Sequence, residues 1–267
     1  MTARRAGVLG SPIAHSRSPQ LHLAAYRALG LDGWTYDRIE CTAERLPAVV
    51  AGFGPEWVGV SVTMPGKFAA LRFADEATER ARLVGSANTL VRSATGWRAD
   101  NTDVDGVTGA LAAVRTDRAV VVGSGGTAPA VVAGLAARGA RHVTVTARDA
   151  GKAADVLALA QRCGLAADFC DIAADALAGT AAGADVVVNT VPADAVAPYA
   201  DALAATPVLL DAIYDPWPTP LAAAVTARGG RVISGLQMLL NQAFTQVELF
   251  TGMPAPKEAM RAALEAP

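Results

Sequence analysis

The chain has 267 residues, of which 52% are hydrophobic and 18% are charged, and its formal net charge is -2. This length favours two modest domains, each with its own hydrophobic core. The charge balance offers no basic surface of the kind that nucleic acid or an anionic membrane requires, so we expect a small-molecule partner.

We expect no targeting segment, membrane span or metal site. The strand-like residues 6–9 meet a break at Gly10-Ser11-Pro12, which leaves no apolar signal-peptide core, and no apolar stretch elsewhere is long enough to span a bilayer. The cysteines follow no CxxC spacing and are typical of reduced thiols; they are Cys41, Cys163 and Cys170. We therefore expect a cytoplasmic protein that is a monomer or a homodimer.

The first hundred residues alternate between strand-like and helix-like patterns. We predict a helix capped by Ser18, with Pro19 in its first turn and its end near Gly30, and a second helix from Thr42 to Gly52. The predicted strands cover 6–9, 34–40, 57–63, and a hairpin of 87–92 with 96–99.

A second strand-helix series follows a predicted bridging helix over 104–114. Its strands are apolar on both faces, which is typical of a parallel sheet covered on both sides. We predict strands over 119–122, 142–146, 185–191, 208–213 and 231–234, a helix over 127–138, and a last helix over 236–250. We expect this last helix to pack back on the first domain.

A glycine-rich turn follows the first strand of this second series. The segment VVVGSGGTA has GxGxxA spacing, in which glycines let backbone N–H groups approach a pyrophosphate at the start of a helix. We therefore predict cofactor contacts at Gly123, Ser124, Gly125, Gly126, Thr127 and Ala128. The alternative is a turn that is glycine-rich for structural reasons alone.

The end of the next strand bears on the choice between NAD and NADP. Arg148 lies where a guanidinium can meet a 2′-phosphate, and Lys152 lies one turn further on, so we predict NADP(H). The alternatives are that both cations are solvated surface charges and that Asp149 selects NAD by accepting hydrogen bonds from the ribose.

Three polar regions of the first domain carry more hydroxyl, amide and ionisable groups than their apolar surroundings need. Each follows or flanks a strand, where polar side chains can project into a cleft. They comprise 10–19, then 61–67, and then 85–88 with 101–103. This set suits a polyhydroxylated acid.

These segments resemble the ordered motifs of shikimate dehydrogenases. The matching segments are GSPIAHSRSP, VSVTMPGK, GSAN, NTDVDG, VVGSGGTA, AIYDPWPTPL and GLQMLLNQAFTQVELFTG, and they run from near the first residue to the last predicted helix. The resemblance implies an α/β protein with an N-terminal α/β substrate-binding domain over 1–103, with 236–267 packing back on it. A C-terminal doubly wound, Rossmann-type NADP-binding domain then covers 104–235.

The resemblance also implies an activity, the NADPH-dependent reduction of 3-dehydroshikimate to shikimate in aromatic amino-acid biosynthesis. It implies that Ser16 and Ser18, with Tyr214, hold the substrate carboxylate. The implied contacts to the ring hydroxyls and ketone are Thr63, Asn88, Asp103 and Gln242, and further implied cofactor contacts are Asn189, Thr190 and Gly235.

Lys67 and Asp103 resemble the catalytic pair of the family. Hydride delivery to a ketone leaves an alkoxide that needs a proton, which a lysine ammonium can donate, while a carboxylate can hydrogen-bond the substrate and orient the lysine. Taken alone, Lys67 could be a surface lysine after a turn, Asp103 a helix-end acid and Ser18 an ordinary helix N-cap. The chain departs from the family pattern at Ala147, where Asn is usual, and at Asp149, where Thr is usual.

Two alternative functions remain open from the sequence. One is an NAD-preferring quinate/shikimate dehydrogenase of the same fold; the serines at 16 and 18, rather than a bulkier threonine at either position, favour the flatter shikimate ring. The other is a non-catalytic NADP-binding metabolite sensor, against which Lys67 and Asp103 argue because a binding protein needs no proton donor.

Overall fold

The computed structural model describes residues 3–265. Its contacts divide the chain into two compact units. The first unit contains the residues up to Thr102 together with those from Leu239 onward, and the second contains Asp103–Met238. Each unit has its own six-stranded sheet.

The first unit begins with strands that alternate with short helices. In chain order the elements are β1 (Arg4–Gly10), α1 (Ser18–Ala28), β2 (Trp34–Glu40), α2 (Leu46–Ala51), β3 (Trp57–Val62), α3 (Lys67–Phe73), β4 (Glu76–Ala77), α4 (Glu79–Val84), β5 (Thr89–Ser93) and β6 (Gly96–Asp100). The sheet order is β2-β1-β3-β5-β6-β4. β1 pairs parallel with both β2 and β3, whereas β5 pairs antiparallel with β3 and β6. The carboxyl ends of β1, β2 and β3 therefore meet at one edge.

The second unit is built on a fully parallel sheet. Its elements are α5 (Asp103–Ala110), β7 (Arg118–Val122), α6 (Ala128–Ala137), β8 (His142–Ala147), α7 (Ala150–Arg162), β9 (Ala166–Asp171), α8 (Leu177–Ala182), β10 (Val186–Asn189), α9 (Ala193–Val196), α10 (Ala200–Leu203), β11 (Val208–Asp211), α11 (Pro220–Ala227) and β12 (Arg231–Ser234). The strand order β9-β8-β7-β10-β11-β12 is that of a Rossmann sheet, in which the order of successive strands reverses between β7 and β10 while all strands stay parallel.

Two apolar clusters cover the faces of this second sheet. Alternating strand residues separate them: Val121 and Val143 join one cluster, and Val120 and Val187 join the other. Because both faces are buried, the strands tolerate polar residues mainly at their carboxyl ends. The carboxyl ends of the strands are thus the part of the sheet left open to polar side chains.

Two helices complete the described chain. α12 (Gly235–Thr251) begins in the second unit and continues into the first, and α13 (Lys257–Glu265) follows it. In the first unit, α13 packs against α1. In addition, Arg17 donates a hydrogen bond to the carbonyl of Leu264 at 3.4 Å. The C-terminal helix is therefore tied to the segment that carries Ser16 and Ser18.

The predicted α/β class with a doubly wound second sheet is confirmed, and so is the hairpin β5–β6. Several predicted boundaries were wrong, including the ends of the strands predicted over 185–191 and 208–213, which stop at Asn189 and Asp211. The N-cap of α1 is Arg17 rather than Ser18, α2 begins at Leu46 rather than after Thr42, and α5 ends at Ala110 rather than 114. The sequence analysis also missed the helices α3, α4, α7, α8, α9, α10, α11 and α13 and the strands β4 and β9, because they are short or lie in alanine-rich stretches.

Within residues 3–265, none of the helices has the length and apolar character to cross a membrane. The same residues contain no group of three or more His, Cys, Asp or Glu side chains placed to hold a metal ion.

Gly134 allows α5 and α6 to pack closely. A Cβ at this position would lie 2.8 Å from both Cβ and Cγ1 of Val107 on α5. Gly134→Ala should therefore lower the free energy of unfolding by about 1–3 kcal/mol, the usual cost of overpacking a core. Differential scanning calorimetry would measure the change.

The matched control is Gly179→Ala in α8, where a Cβ would meet nothing within 4 Å. That change should be neutral or stabilise the protein by up to about 1 kcal/mol, as alanine is the better helix former. A Gly134→Ala variant that melts no lower than Gly179→Ala would contradict close packing at this contact.

Candidate active site

The turn between β1 and α1 holds Ser16 and Ser18 close together, and both are buried. The backbone N–H of Ser18 donates to Oγ of Ser16 at 3.3 Å, and the N–H of Ser16 donates to the carbonyl of Ile13 at 3.1 Å. The hydroxyl of Ser18 also hydrogen-bonds Tyr36, whose hydroxyl lies 2.6 Å from Oγ of Ser61. The structure therefore brings this serine pair together at the carboxyl end of β1.

Thr63 and Lys67 follow the neighbouring strand β3. The N–H of Thr63 donates to the carbonyl of Leu9 at 2.8 Å, which aligns the ends of β1 and β3. A Cβ on Gly10 would run into the Thr63 side chain, so glycine is needed for this close approach. Lys67 is half-buried and is the first residue of α3. A cation is disfavoured at that end of a helix, so Lys67 is not explained by helix stability.

Asn88 and Gln242 are brought together in a buried amide cluster. Nδ2 of Asn88 donates to Oγ1 of Thr102 at 3.0 Å and to Oε1 of Gln242 at 3.2 Å. Oδ1 of Asn88 accepts from the N–H of Thr102 at 2.7 Å. The cluster therefore joins three parts of the first unit: Asn88 before β5, Thr102 after β6, and Gln242 on α12.

A second glutamine of α12 lies one turn further on and was missed by the sequence analysis. Oε1 of Gln246 accepts from Oγ of Ser61 at 2.8 Å and lies 3.3 Å from Nε2 of His22. Nε2 of Gln246 donates to Oγ1 of Thr89 at 2.8 Å. This amide thus connects the serine side of the site, through Ser61 and Tyr36, with the Asn88 side.

His22 lies inside this cluster and is fully buried. Its ring stacks on Tyr36, with centroids 4.0 Å apart and planes at 16°. Burial lowers the pKa of His22 from 6.5 to about 3, against a smaller opposing effect of the hydrogen bond to Gln246. His22 is therefore neutral at physiological pH and serves as a packed, hydrogen-bonding ring.

The residues before Asp103 are fixed by an ion pair. Arg80 donates to both oxygens of Asp100, at 2.6 and 2.7 Å. Burial by itself would raise the pKa of the Asp100 carboxyl, but hydrogen bonds from Arg80 and Thr78 hold it below its usual value. Oδ1 of Asp100 also accepts from the N–H of Asn101 at 2.7 Å. The chain is therefore well anchored where it leaves the first unit.

Asp103 is the first residue of α5 and belongs to the second unit. Its side chain is buried, and a carboxylate is favoured at the amino end of a helix. This position explains why a carboxylate is favourable here, but it does not show that Asp103 takes part in catalysis. The pairing of Asp103 with Lys67 stays a prediction.

The glycine-rich turn follows β7 as predicted, and α6 begins at Ala128 after Thr127. Gly123 has a φ of +106°, and a Cβ there would lie 2.6 Å from Oγ1 of Thr190. Both N–H and Oγ1 of Thr190 donate to the carbonyl of Val122, at 3.0 and 2.8 Å. The structure thus brings Gly123 and Thr190 together at the point where strand order switches.

Gly125 differs from Gly123, because it is exposed and a Cβ there would meet no atom within 4 Å. The fold therefore gives no reason of its own for a glycine at this position. Ser124 and Gly126 are half-buried on either side of it. Open space above backbone N–H groups at the start of a helix fits the approach of a pyrophosphate.

Arg148 and Lys152 are both exposed beyond the end of β8. Asp149 between them is the N-cap of α7, and its Oδ1 accepts from the N–H of Lys152 at 3.2 Å. The carboxylate of Asp149 is therefore engaged in capping α7. Nζ of Lys152 lies 4.0 Å from Oδ2 of Asp149, an exposed pair of little energetic consequence.

Asn189 is fully buried, and its hydrogen bonds are made within the sheet edge. Its Nδ2 donates to Oδ1 of Asp211 at 2.9 Å and to the carbonyl of Val191 at 3.0 Å. Burial raises the pKa of the Asp211 carboxyl, against opposing hydrogen bonds led by Thr219. The predicted cofactor contact of Asn189 remains untested, while its structural role is to join the ends of β10 and β11.

Gly235 and Tyr214 are two further predicted site residues near the carboxyl end of β11. A Cβ on Gly235 would lie 2.9 Å from the carbonyl oxygen of Asp211 and still closer to that of Ala212, so packing alone requires glycine. Tyr214 is half-buried in the segment between β11 and α11.

A cavity of about 440 Å³ lies in the second unit, away from these residues. It is lined by the amino-terminal parts of β7 and β8, by the carboxyl-terminal part of β9 and by α8. Its walls include His142 and Asp168, whose Nε2 and Oδ2 are 2.7 Å apart. None of the predicted site residues lines it, so it has no part in the site described here.

Comparisons with known proteins match most of the chain. A model of the shikimate dehydrogenase substrate binding domain matches residues 8–90, and one of the shikimate 5'-dehydrogenase C-terminal domain matches residues 235–265. The shikimate dehydrogenase (NADP(+)) of Microcystis aeruginosa is 35% identical, covering 97% of this chain and 95% of its own. That of Methylobacterium radiotolerans is 40% identical, covering 95% and 93% respectively. The crystal structure of Mycobacterium tuberculosis shikimate dehydrogenase is 68% identical, with a TM-score of 0.94 and 98% of both chains covered.

The buried, neutral state of His22 predicts a dependence of stability on pH. His22 titrates near 6.5 when unfolded but only near 3 when folded. Below pH 6.5 the unfolded chain therefore binds a proton that the folded chain does not, and stability falls by up to about 1.4 kcal/mol per pH unit. Above pH 6.5 this contribution is complete and constant.

His22→Phe preserves an aromatic ring beside Tyr36 but removes the titrating group. The loss of stability between pH 7 and pH 5 should then be smaller than in the wild type by roughly 2 kcal/mol. Urea unfolding at both pH values would measure it, with His15→Phe, at an exposed position, as the control. Equal losses in His22→Phe and the wild type would contradict a neutral buried His22.

Proposed function

This chain belongs to the shikimate dehydrogenase family, and we propose that it reversibly reduces 3-dehydroshikimate to shikimate with NADPH as hydride donor. The observation that carries the proposal is identity of 35–40% to shikimate dehydrogenases (NADP(+)) over almost the whole chain. The site residues implied by the motifs are present in this sequence.

Ser16 and Ser18 bind the substrate carboxylate, with Tyr214 as a further donor. The hydroxyls of the two serines lie in one short turn that is held by its own hydrogen bonds. Two neutral donors in a preformed turn bind an anion without the desolvation cost of burying a cation.

Thr63, Asn88, Asp103 and Gln242 contact the ring hydroxyls and the ketone. The hydrogen bonds of Asn88 with Thr102 and Gln242 support this role, because they fix the amide that meets the substrate. A site that is built to hydrogen-bond hydroxyl groups strongly rejects analogues that lack them, since its own polar groups would be left without partners.

Lys67 donates the proton in ketone reduction. Hydride addition to the carbonyl carbon leaves negative charge on the oxygen, and the ammonium of Lys67 supplies a proton to that oxygen. In the reverse direction the neutral amine accepts the proton of the alcohol. Asp103 hydrogen-bonds the same hydroxyl and orients Lys67.

NADPH supplies the hydride when it is bound. The turn of Gly123, Ser124, Gly125 and Gly126, with Thr127 and Ala128, holds the pyrophosphate at the start of α6. Arg148 and Lys152 meet the 2′-phosphate, while Thr190, Asn189 and Gly235 shape the neighbouring strand ends. The fit is supported by the open space at Gly125 and by the use of Asp149 as a helix cap.

Lys67→Ala should lower kcat for shikimate oxidation by about 10²-fold or more with little change in KM, since the group acts mainly in the transition state. Arg72→Ala, which removes a cation from the exposed face of the same helix, is the control. Initial rates with NADP+ at the nicotinamide absorbance band provide the measurement. Unchanged turnover in Lys67→Ala would refute its role, and a wild-type protein that binds NADP+ without turning over shikimate would be a sensor instead.

Arg148→Ala should raise KM for NADPH by about tenfold while leaving KM for NADH almost unchanged, because the guanidinium pairs with a phosphate that only NADPH carries. Arg141→Ala removes the same charge at the opposite end of β8 and should affect neither cofactor. Equal losses for both cofactors in Arg148→Ala would mean that the 2′-phosphate lies elsewhere.

A further inference from the structure

The loop that carries Ser16 and Ser18 lies against one face of β2. Tyr36, Arg38 and Glu40 alternate along this strand, so their side chains project from the same face. Each of the three contacts a different point of the loop. The sequence analysis singled out none of them. Polar and apolar residues alternate along WTYDRIE as they do in many half-exposed strands, so the pattern did not indicate that these three side chains contact the loop.

Arg38 makes the central contact. Its Nε and Nη2 both donate to the carbonyl oxygen of Ser16, at 2.9 and 2.6 Å. Two donors from one planar guanidinium restrict both the position and the direction of that carbonyl. Arg38 therefore fixes the backbone from which the side chain of Ser16 projects.

Tyr36 and Glu40 act on either side of this contact. The hydroxyl of Tyr36 hydrogen-bonds Ser18 and lies 2.6 Å from Oγ of Ser61. Oε2 of Glu40 accepts from the N–H of Ile13 at 3.1 Å, at the start of the loop. The strand thus holds the loop at 13, 16 and 18.

The charges of Arg38 and Glu40 are opposite and lie two residues apart on the same face. Arg38 contacts the carbonyl of Ser16, whereas Glu40 contacts the N–H of Ile13, so both act on the serine turn through hydrogen bonds to its backbone.

We propose that Arg38 is a positioning residue for the substrate carboxylate, with Tyr36 and Glu40 completing the support of the serine turn. The proposal rests on the carboxylate-binding role of Ser16 and Ser18 within the proposed function. Arg38 touches neither the reacting ketone nor the cofactor, and its effect is confined to how tightly the acid is bound.

The test compares Arg38→Gln and Arg38→Lys with the wild type in shikimate oxidation. Arg38→Gln should raise KM for shikimate by about tenfold, the loss expected when one charged hydrogen-bonding group is removed, with kcat and KM for NADP+ within about twofold. Arg38→Lys keeps one donor on the carbonyl and should recover part of the loss.

The matched control is Arg5→Gln. Arg5 donates a single hydrogen bond at 2.9 Å to Asp37, which lies between Tyr36 and Arg38 on the opposite face of β2. Loss of this cation should leave KM for shikimate unchanged. If Arg38→Gln fails to fold, Glu40→Ala tests the same support from the other end of the loop and should raise KM for shikimate severalfold.

The outcomes separate this inference from the function on which it rests. An active wild type whose KM for shikimate is unchanged in Arg38→Gln would overturn the positioning role alone. Parallel losses of kcat and of NADP+ affinity, without a selective rise in KM for shikimate, would also overturn it. A wild type that oxidises no shikimate would overturn the proposed function and, with it, the present inference.

Discussion

The amide cluster of the first unit is the constraint on which the rest of the site depends. Asn88, Gln242 and Gln246 are buried side chains that can stay buried only if their donors and acceptors find partners. They find them in one another and in nearby threonine and serine hydroxyls. The cluster therefore fixes α12 against the strand ends of the first unit.

Loss of one member would cost more than a single hydrogen bond, because the partners left behind are also buried. A satisfied hydrogen bond contributes roughly 1 kcal/mol, whereas an orphaned buried group costs about 1–3 kcal/mol. Gln246 has contacts on two sides, with Ser61 and with Thr89. Gln246 thus connects the end of the proposed substrate site that would bind the carboxylate with the end that would bind the ring hydroxyls, although it is not itself proposed to contact the substrate.

The sequence predicted the structure well where a local motif determines the local backbone conformation. The GxGxxA motif lies between a buried strand and a helix, so the turn at Gly123 could be predicted from the sequence alone. Ser18 was wrongly predicted to be an N-cap, because a serine directly before a proline is a common pattern at the start of a helix. In the structure the helix begins one residue earlier, at Ser18 itself. Gln246 and His22 were missed because their roles arise from residues far apart in the chain, which no local pattern reveals.

The chain leaves the first unit after Thr102 and returns to it only at Leu239. During synthesis on the ribosome, the whole second unit is translated before Gln242 and Gln246 are made. Asn88 can therefore pair with Thr102 early but lacks Gln242 until most of the chain has been translated, while the contiguous second unit needs no later residue to fold. The connectivity therefore allows the second unit to fold before the first unit can be completed.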